Sequence, residues 1–118
     1  MASLLYPSLG PPVYAPNSVA AVYTNPAATV TYLNAILVHN IDTVVRTITI
    51  YEVPHNGGAV GDMAPQEEFL KYALQPGATE IFEIKGPGLP LESLNDTIQA
   101  IADLASKVTI KFFGYTYA

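Results

Sequence analysis

The chain reads as an all-β protein: an antiparallel β-sandwich, Ig-like or jelly-roll-like, preceded by an extended N-terminal arm. Three observations predict it. Short runs rich in Val, Ile, Thr and Tyr recur from residue 18 onward, interrupted by turn residues at roughly the 8–12-residue spacing of sandwiches and barrels. Within the clearest run Ile48 and Ile50 alternate with Thr47, Thr49 and Tyr51, the period-two pattern of a half-buried strand. No strand–helix–strand alternation appears, which argues against a parallel sheet. At 118 residues the chain is one domain, divided into an arm at 1–17 and a sandwich at 18–118.

The arm comes first. Pro7, Pro11, Pro12 and Pro16 fix φ and bias their predecessors towards extended conformations. Leu4, Leu5, Tyr6, Leu9, Val13 and Tyr14 give this stretch something to bury. Two arrangements satisfy it: a first edge strand packed on its own domain, where proline is tolerated, or an arm laid over a neighbouring subunit. The expectation is the neighbour, with these six residues as the partner-binding set. Deleting residues 1–17 would then abolish partner binding and leave a folded domain.

Ser18–Thr24 is the next run, closed by Asn25-Pro26. Thr29–His39 follows and ends near Asn40–Thr43. Val44–Val53 carries the Ile/Thr alternation. Pro54-His55-Asn56-Gly57-Gly58 is a strong turn signal, and the loop runs on through Met63-Ala64-Pro65. Glu67–Leu74 places Leu70, Tyr72 and Leu74 on one face. Gln75-Pro76-Gly77 suits a type II turn before Thr79–Ile84, which Gly86-Pro87-Gly88 terminates. In Val108–Tyr117, Val108, Ile110 and Phe112 share one face, with Thr109, Lys111 and Phe113 on the other.

Residues 94–105 support two readings. Leu94, Ile98, Ile101, Ala105 and Val108 recur at helical spacing, and Ser93-Leu94-Asn95-Asp96 has the form of a capping box with Asp in place of Glu. The strand alternative turns Ile98, Ala100 and Ala102 inward, with a turn at Asp103–Lys107. Either way the strands number seven or eight.

Composition narrows the function. Residues 1–41 contain no charged side chain, and charged residues are 13% of the chain, about half the usual share. Low charge fits either a surface covered in an oligomer or larger assembly, which is the expectation, or a small, well-packed domain with a Ser/Thr/Asn surface. The net charge is −5, and Arg46, Lys71, Lys85, Lys107 and Lys111 are scattered. Nucleic-acid binding needs a basic footprint, so no nucleic-acid partner is expected, nor an anionic membrane. No signal-peptide pattern opens the chain, and no run approaches the ~20 apolar residues of a membrane helix. There is no cysteine, which removes disulfides and thiolate metal sites.

Catalytic motifs are missing: no phosphate loop, no dinucleotide fingerprint, no HExxH. Pro87 removes an N–H that a phosphate-binding Gly86-Pro87-Gly88 would need. His39 and His55, with Asp42 or Asp62, have no spacing that requires a metal; His39 reads as a strand-end residue and His55 as a turn residue. Glu67 and Glu68 are adjacent, so in a strand they face opposite sides. Asn95-Asp96-Thr97 matches a glycosylation sequon, a frequent chance match. No catalytic, cofactor-binding or metal-ligating residue is expected. Eight tyrosines pair an apolar body with a polar tip, which suits interfaces as well as strands; it also suits sugar stacking, but sugar sites usually favour Trp, and the chain has none.

Residues 19–117 resemble the small β-sandwich virion proteins of tailed bacteriophages, of the capsid-decorating or cementing kind. The resemblance is carried by Tyr23-Thr24-Asn25-Pro26, Leu37-Val38-His39-Asn40, the strand Thr47–Val53 ending in Val53-Pro54 and Asn56-Gly57-Gly58. It continues through Leu74-Gln75-Pro76-Gly77-Ala78-Thr79-Glu80, Asp96–Ala100, Val108-Thr109-Ile110 and Gly114. The pattern has Gly where this chain has Asn95, a residue that also tolerates positive φ, and a short polar ending where this chain has Tyr115-Thr116-Tyr117. The resemblance implies a strand at Asp96–Ala102 and a non-enzymatic structural role in the virion, assembled in the host cytoplasm. Its partners would be the major capsid protein or other virion proteins, with homo-oligomers such as a trimer. The alternative is a tail, neck or baseplate binding module, with host glycan as a ligand class.

Overall fold

Every strand in the first half of the chain pairs with a strand in the second half. In the computed structural model, which describes residues 6–118, β1 (Val13–Tyr14) pairs with β9 (Val108–Tyr117), and β2 (Ala20–Thr24) with β8 (Thr97–Ala102). Strand β3 (Val30–Asn40) pairs with β6 (Thr79–Glu83), and β4 (Arg46–Val53) with β5 (Glu68–Leu74). The chain is therefore one long antiparallel ribbon whose tip is the loop 54–67. The ribbon wraps on itself through two further ladders, β3 on β9 and β4 on β8. Two sheets result, β1-β9-β3-β6 and β2-β8-β4-β5, with the short β7 (Leu89–Leu91) also on β3.

This is the jelly-roll strand order. An immunoglobulin sandwich keeps its first two strands in one sheet, whereas here β1, β2, β3 and β4 alternate between sheets. Among the described residues there is no α-helix; a single 3-10 turn at Pro65–Glu67 leads into β5.

The inward rows are those the alternation predicts. Ile48 and Ile50 of β4, Ile98, Ala100 and Ala102 of β8, and Val108, Ile110 and Phe112 of β9 all lie in one core with Leu33, Ile36, Val38, Leu74 and Leu91. Each large aliphatic side chain among them contributes roughly 1.5–3 kcal/mol relative to exposure. Residues 97–102 form the strand β8, not a helix. The helical spacing fails because Leu94 is exposed and Asn95 sits at φ 67°, which stops a helix before it starts.

The arm is not confirmed as a separate extension. Gly114 N–H donates to the Pro7 carbonyl at 2.9 Å, Leu9 N–H to Phe112 at 2.9 Å and Ala15 N–H to Val108 at 2.8 Å. Ser8 bridges Phe113 and β1 follows on the same edge of β9. Ala15 is fully buried, and Leu9 and Val13 pack on the core. Residues 7–15 thus behave as an edge strand of their own sheet, with prolines where edge backbone needs no second partner. Leu4 and Leu5 lie outside the described residues.

Two buried asparagines replace the solvent that loop backbones would otherwise need. Asn25 Nδ2 donates to Thr29 O (2.7 Å) and Ser93 O (3.0 Å), while its Oδ1 accepts from Thr31 Oγ1 (2.6 Å). At the other end Asn40 Nδ2 reaches Val44 O, Leu74 O and Gln75 O, and Oδ1 accepts the Asp42 N–H. Buried backbone groups left unpaired would be costly, so these side chains fix how the loops close on the sandwich.

Candidate functional site

The outer face of the β1-β9-β3-β6 sheet carries the most distinctive side-chain grouping. Tyr32 lies opposite Tyr115 in the β3–β9 register, and Val30 lies opposite Tyr117. Tyr115 and Tyr117 share the β9 face opposite to Phe112 and so point outward. Tyr32 and Tyr117 meet edge to face at 5.7 Å between centroids, and Tyr6 meets Tyr115 at 6.2 Å. The four rings form an aromatic row of two edge-to-face pairs set side by side by the Tyr32–Tyr115 register, a geometry that stabilises ring pairs beyond their burial.

A β-bulge shapes the middle of this face. The β3–β9 register shifts between Leu33 and Ala35, and the inward phase of β3 changes from Thr31 and Leu33 to Ile36 and Val38. Bulges re-aim side chains in this way. Asn34 is the residue at the shift. Its Nδ2 donates to Pro87 O at 3.0 Å, and its backbone carbonyl accepts Ile84 N–H at 2.9 Å. It thereby ties down the 84–88 loop between β6 and β7. A cavity of about 570 Å³ opens here, lined among the described residues by Tyr32, Asn34, Pro87, Tyr115 and Tyr117. That is within the usual size of ligand clefts.

Glycine sets two close approaches around it. A Cβ on Gly114 would overlap the Tyr32 carbonyl, so β9 passes the bulge only with glycine there. A Cβ on Gly88 would lie 2.7 Å from Asn34 Nδ2, and its φ of +106° is strained for other residues.

The other expected partner residues divide. Tyr6 joins the aromatic row, Leu9 and Val13 belong to the chain's own core, and Tyr14 is 57% exposed on the edge. Leu9 and Val13 are partly buried, and the side they bury packs on the chain's own core. A second apolar surface lies at the opposite end of the sandwich. Ile41, Val44 and Val45 of the β3–β4 loop and Leu104 of the β8–β9 loop are between 39 and 47% exposed. The two loops adjoin: Ile41 N–H donates to Lys107 O at 2.9 Å. Arg46 sits beneath them, 2.7 Å from Asp42 and 3.8 Å from Asp103. The Thr43 N–H, and then the Arg46 guanidinium, hold the Asp42 carboxyl below its ordinary value.

Both histidines and Asp96 are engaged structurally. His39 Nδ1 bonds Thr79 Oγ1 at 2.7 Å, and His55 Nδ1 accepts the Gly58 N–H at 3.2 Å. The two lie at opposite ends of the sandwich, one at the close of β3 and the other after β4. Asp96 accepts N–H groups from His55, Glu92 and Ser93, pinning the tip loop to the β7–β8 turn. Glu52 continues the row of Ile48 and Ile50, opposite Ile98. Burial, then the charges of Asp96 and Glu67, push its carboxyl up, and its Oε2 has no partner. Among the described residues no three His, Cys, Asp or Glu side chains are placed to hold a metal.

No protein-family model matches this chain, and neither a curated protein nor a solved structure matches it.

Proposed function

We propose that the chain is a non-catalytic structural module of a virion, decorating or cementing the capsid exterior against the major capsid protein or another virion protein. The observation that carries this reading is the uncapped apolar end of the sandwich. Ile41, Val44, Val45 and Leu104 stand exposed on two mutually bonded loops, beside the Asp42–Arg46–Asp103 ion pairs. Clustered exposed aliphatics of this kind mark contact surfaces. The jelly-roll architecture recurs in capsid proteins and lectins, which supports the reading by analogy only. The use of His39, His55 and Asp96 as turn and strand fasteners supports a non-catalytic role.

Docking moves in this reading from the proline-rich segment to the loop end, because Leu9 and Val13 serve the chain's own core. A tail, neck or baseplate module is the second reading, favoured by the tyrosine cleft. The test is a charged pair of substitutions, Val44→Asp with Leu104→Asp. Both sites are exposed, so the melting temperature should hold while co-sedimentation with purified particles is lost. Unchanged co-sedimentation would remove the loop end from the docking surface.

A further inference from the structure

Asn34, in the wall of the tyrosine cleft, carries one polar atom that the fold does not use. Asn34 is 3% exposed, and its Oδ1 is buried without a hydrogen-bond partner. Its orientation is set, because Nδ2 is committed to Pro87 O at 3.0 Å. Gly88 packs so closely on this amide that a Cβ would come within 2.7 Å of Nδ2. The bulge, the loop contact and the glycine together place an amide in the wall of the cleft and leave its acceptor unsatisfied. Buried acceptors are normally paired, so a donor that reached this one from the cleft would form a bond that no protein group supplies.

The lining decides which donor. No charged side chain is among the described residues around the cavity, which disfavours ionic ligands. Aromatic grooves with Tyr, Asn and Pro also accept proline-rich peptides. Such a segment offers carbonyl acceptors and few N–H donors, and it would leave Oδ1 unpaired. A sugar offers hydroxyl donors together with an apolar C–H face suited to Tyr32, Tyr115 and Tyr117. We propose that this cleft binds a neutral saccharide, with one hydroxyl donating to Asn34 Oδ1 and a ring face lying against the tyrosines. The site is independent of the loop end at Ile41 and Leu104, which lies at the other end of β3 and β9.

The experiment is an NMR titration of the ¹⁵N-labelled full chain with neutral malto-, cello-, manno-, galacto- and chito-oligosaccharides at millimolar concentration. A proline-rich peptide and a sulfated oligosaccharide are added in separate arms. At least one neutral series should shift the amides of Tyr32, Asn34, Gly88, Tyr115 and Tyr117. Tyr117→Ala, at a 55% exposed position, should weaken that binding by about tenfold or more, equivalent to ~1.4 kcal/mol. Tyr14→Ala, on the exposed edge away from the cleft, should leave it unchanged. The proposal is overturned if no neutral series shifts these amides. It is equally overturned if only the peptide or the sulfated sugar does, or if the two tyrosine variants weaken binding alike.

Discussion

A single carboxyl shows how the fold constrains its own chemistry. Glu52 occupies the inward row of β4 at the mouth of the sandwich, with Oε2 unpaired and Asp96 and Glu67 nearby. Its acidity is therefore weakened, chiefly by burial and then by those two charges. A carboxyl whose folded pKa is raised makes the folded state bind more protons than the unfolded state. Stability then falls as pH rises from the ordinary Glu value of 4.5 through the raised one, and the full penalty persists above it. Asp42 has the opposite sign: its contribution is present above the ordinary Asp value of 3.8 and is lost as pH falls through its lowered value. Glu52→Gln should raise the thermal midpoint at neutral pH, and the difference from wild type should close as pH drops below the ordinary Glu value. Melting curves across pH 3–8 measure this. Equal midpoints at neutral pH would mean that Glu52 is not destabilising.

At the scale of the element, the edge segment 7–15 is where sequence and structure part. Proline spacing and missing charge suggested an arm reaching outward. The structure turns the same residues onto β9, because Leu9, Val13 and Ala15 find a core there and alternate backbone groups find the β9 ladder. Removing residues 1–17 should thus destabilise the domain instead of leaving it intact. Loss of the partly buried Leu9 and Val13 and the buried Ala15 is worth roughly 2–5 kcal/mol. Urea denaturation of the truncated chain would show this as a lower midpoint; an unchanged midpoint would restore the arm as an appendage. Elements with strong alternation were legible from sequence: β4 from Ile48 and Ile50, β9 from Val108, Ile110 and Phe112. So were the turns whose backbone demands particular residues, Gly57 and Gly58 at φ 58° and 87° and Gly77 at 70°. Strand β7 was not, because Leu89-Pro90-Leu91 is too short to alternate and carries a proline. Its presence depends on β3 offering an edge where β6 leaves off.

The whole molecule adds what no local pattern carries. The tyrosine cleft joins residues 32, 34, 87, 115 and 117, and its shape follows from the β3–β9 register and from a bulge that sequence gives no sign of. The abundance of tyrosine hinted at a binding surface; the choice of Tyr32, Tyr115 and Tyr117 over Tyr51 and Tyr72 came from the register. Tyr72 in fact closes the sandwich edge against Phe82 at 5.2 Å and bonds Glu80 at 3.3 Å. The loop end was hidden for a similar reason: Val44 and Val45 read as the start of a strand, and only the β4 boundary at Arg46 leaves them outside it. With extents of 41 × 32 × 23 Å, the sandwich is long enough to keep its apolar loop end and its tyrosine cleft well apart, so one can face a particle while the other faces outward. The most direct measurement is a search for this chain, by quantitative mass spectrometry, in density-gradient-purified virus particles released from the cells that express it. The structural-module account predicts the chain in the particle band at a fixed copy ratio to the major capsid protein. Its absence from that band, with the chain recovered only from the soluble lysate, would contradict the account.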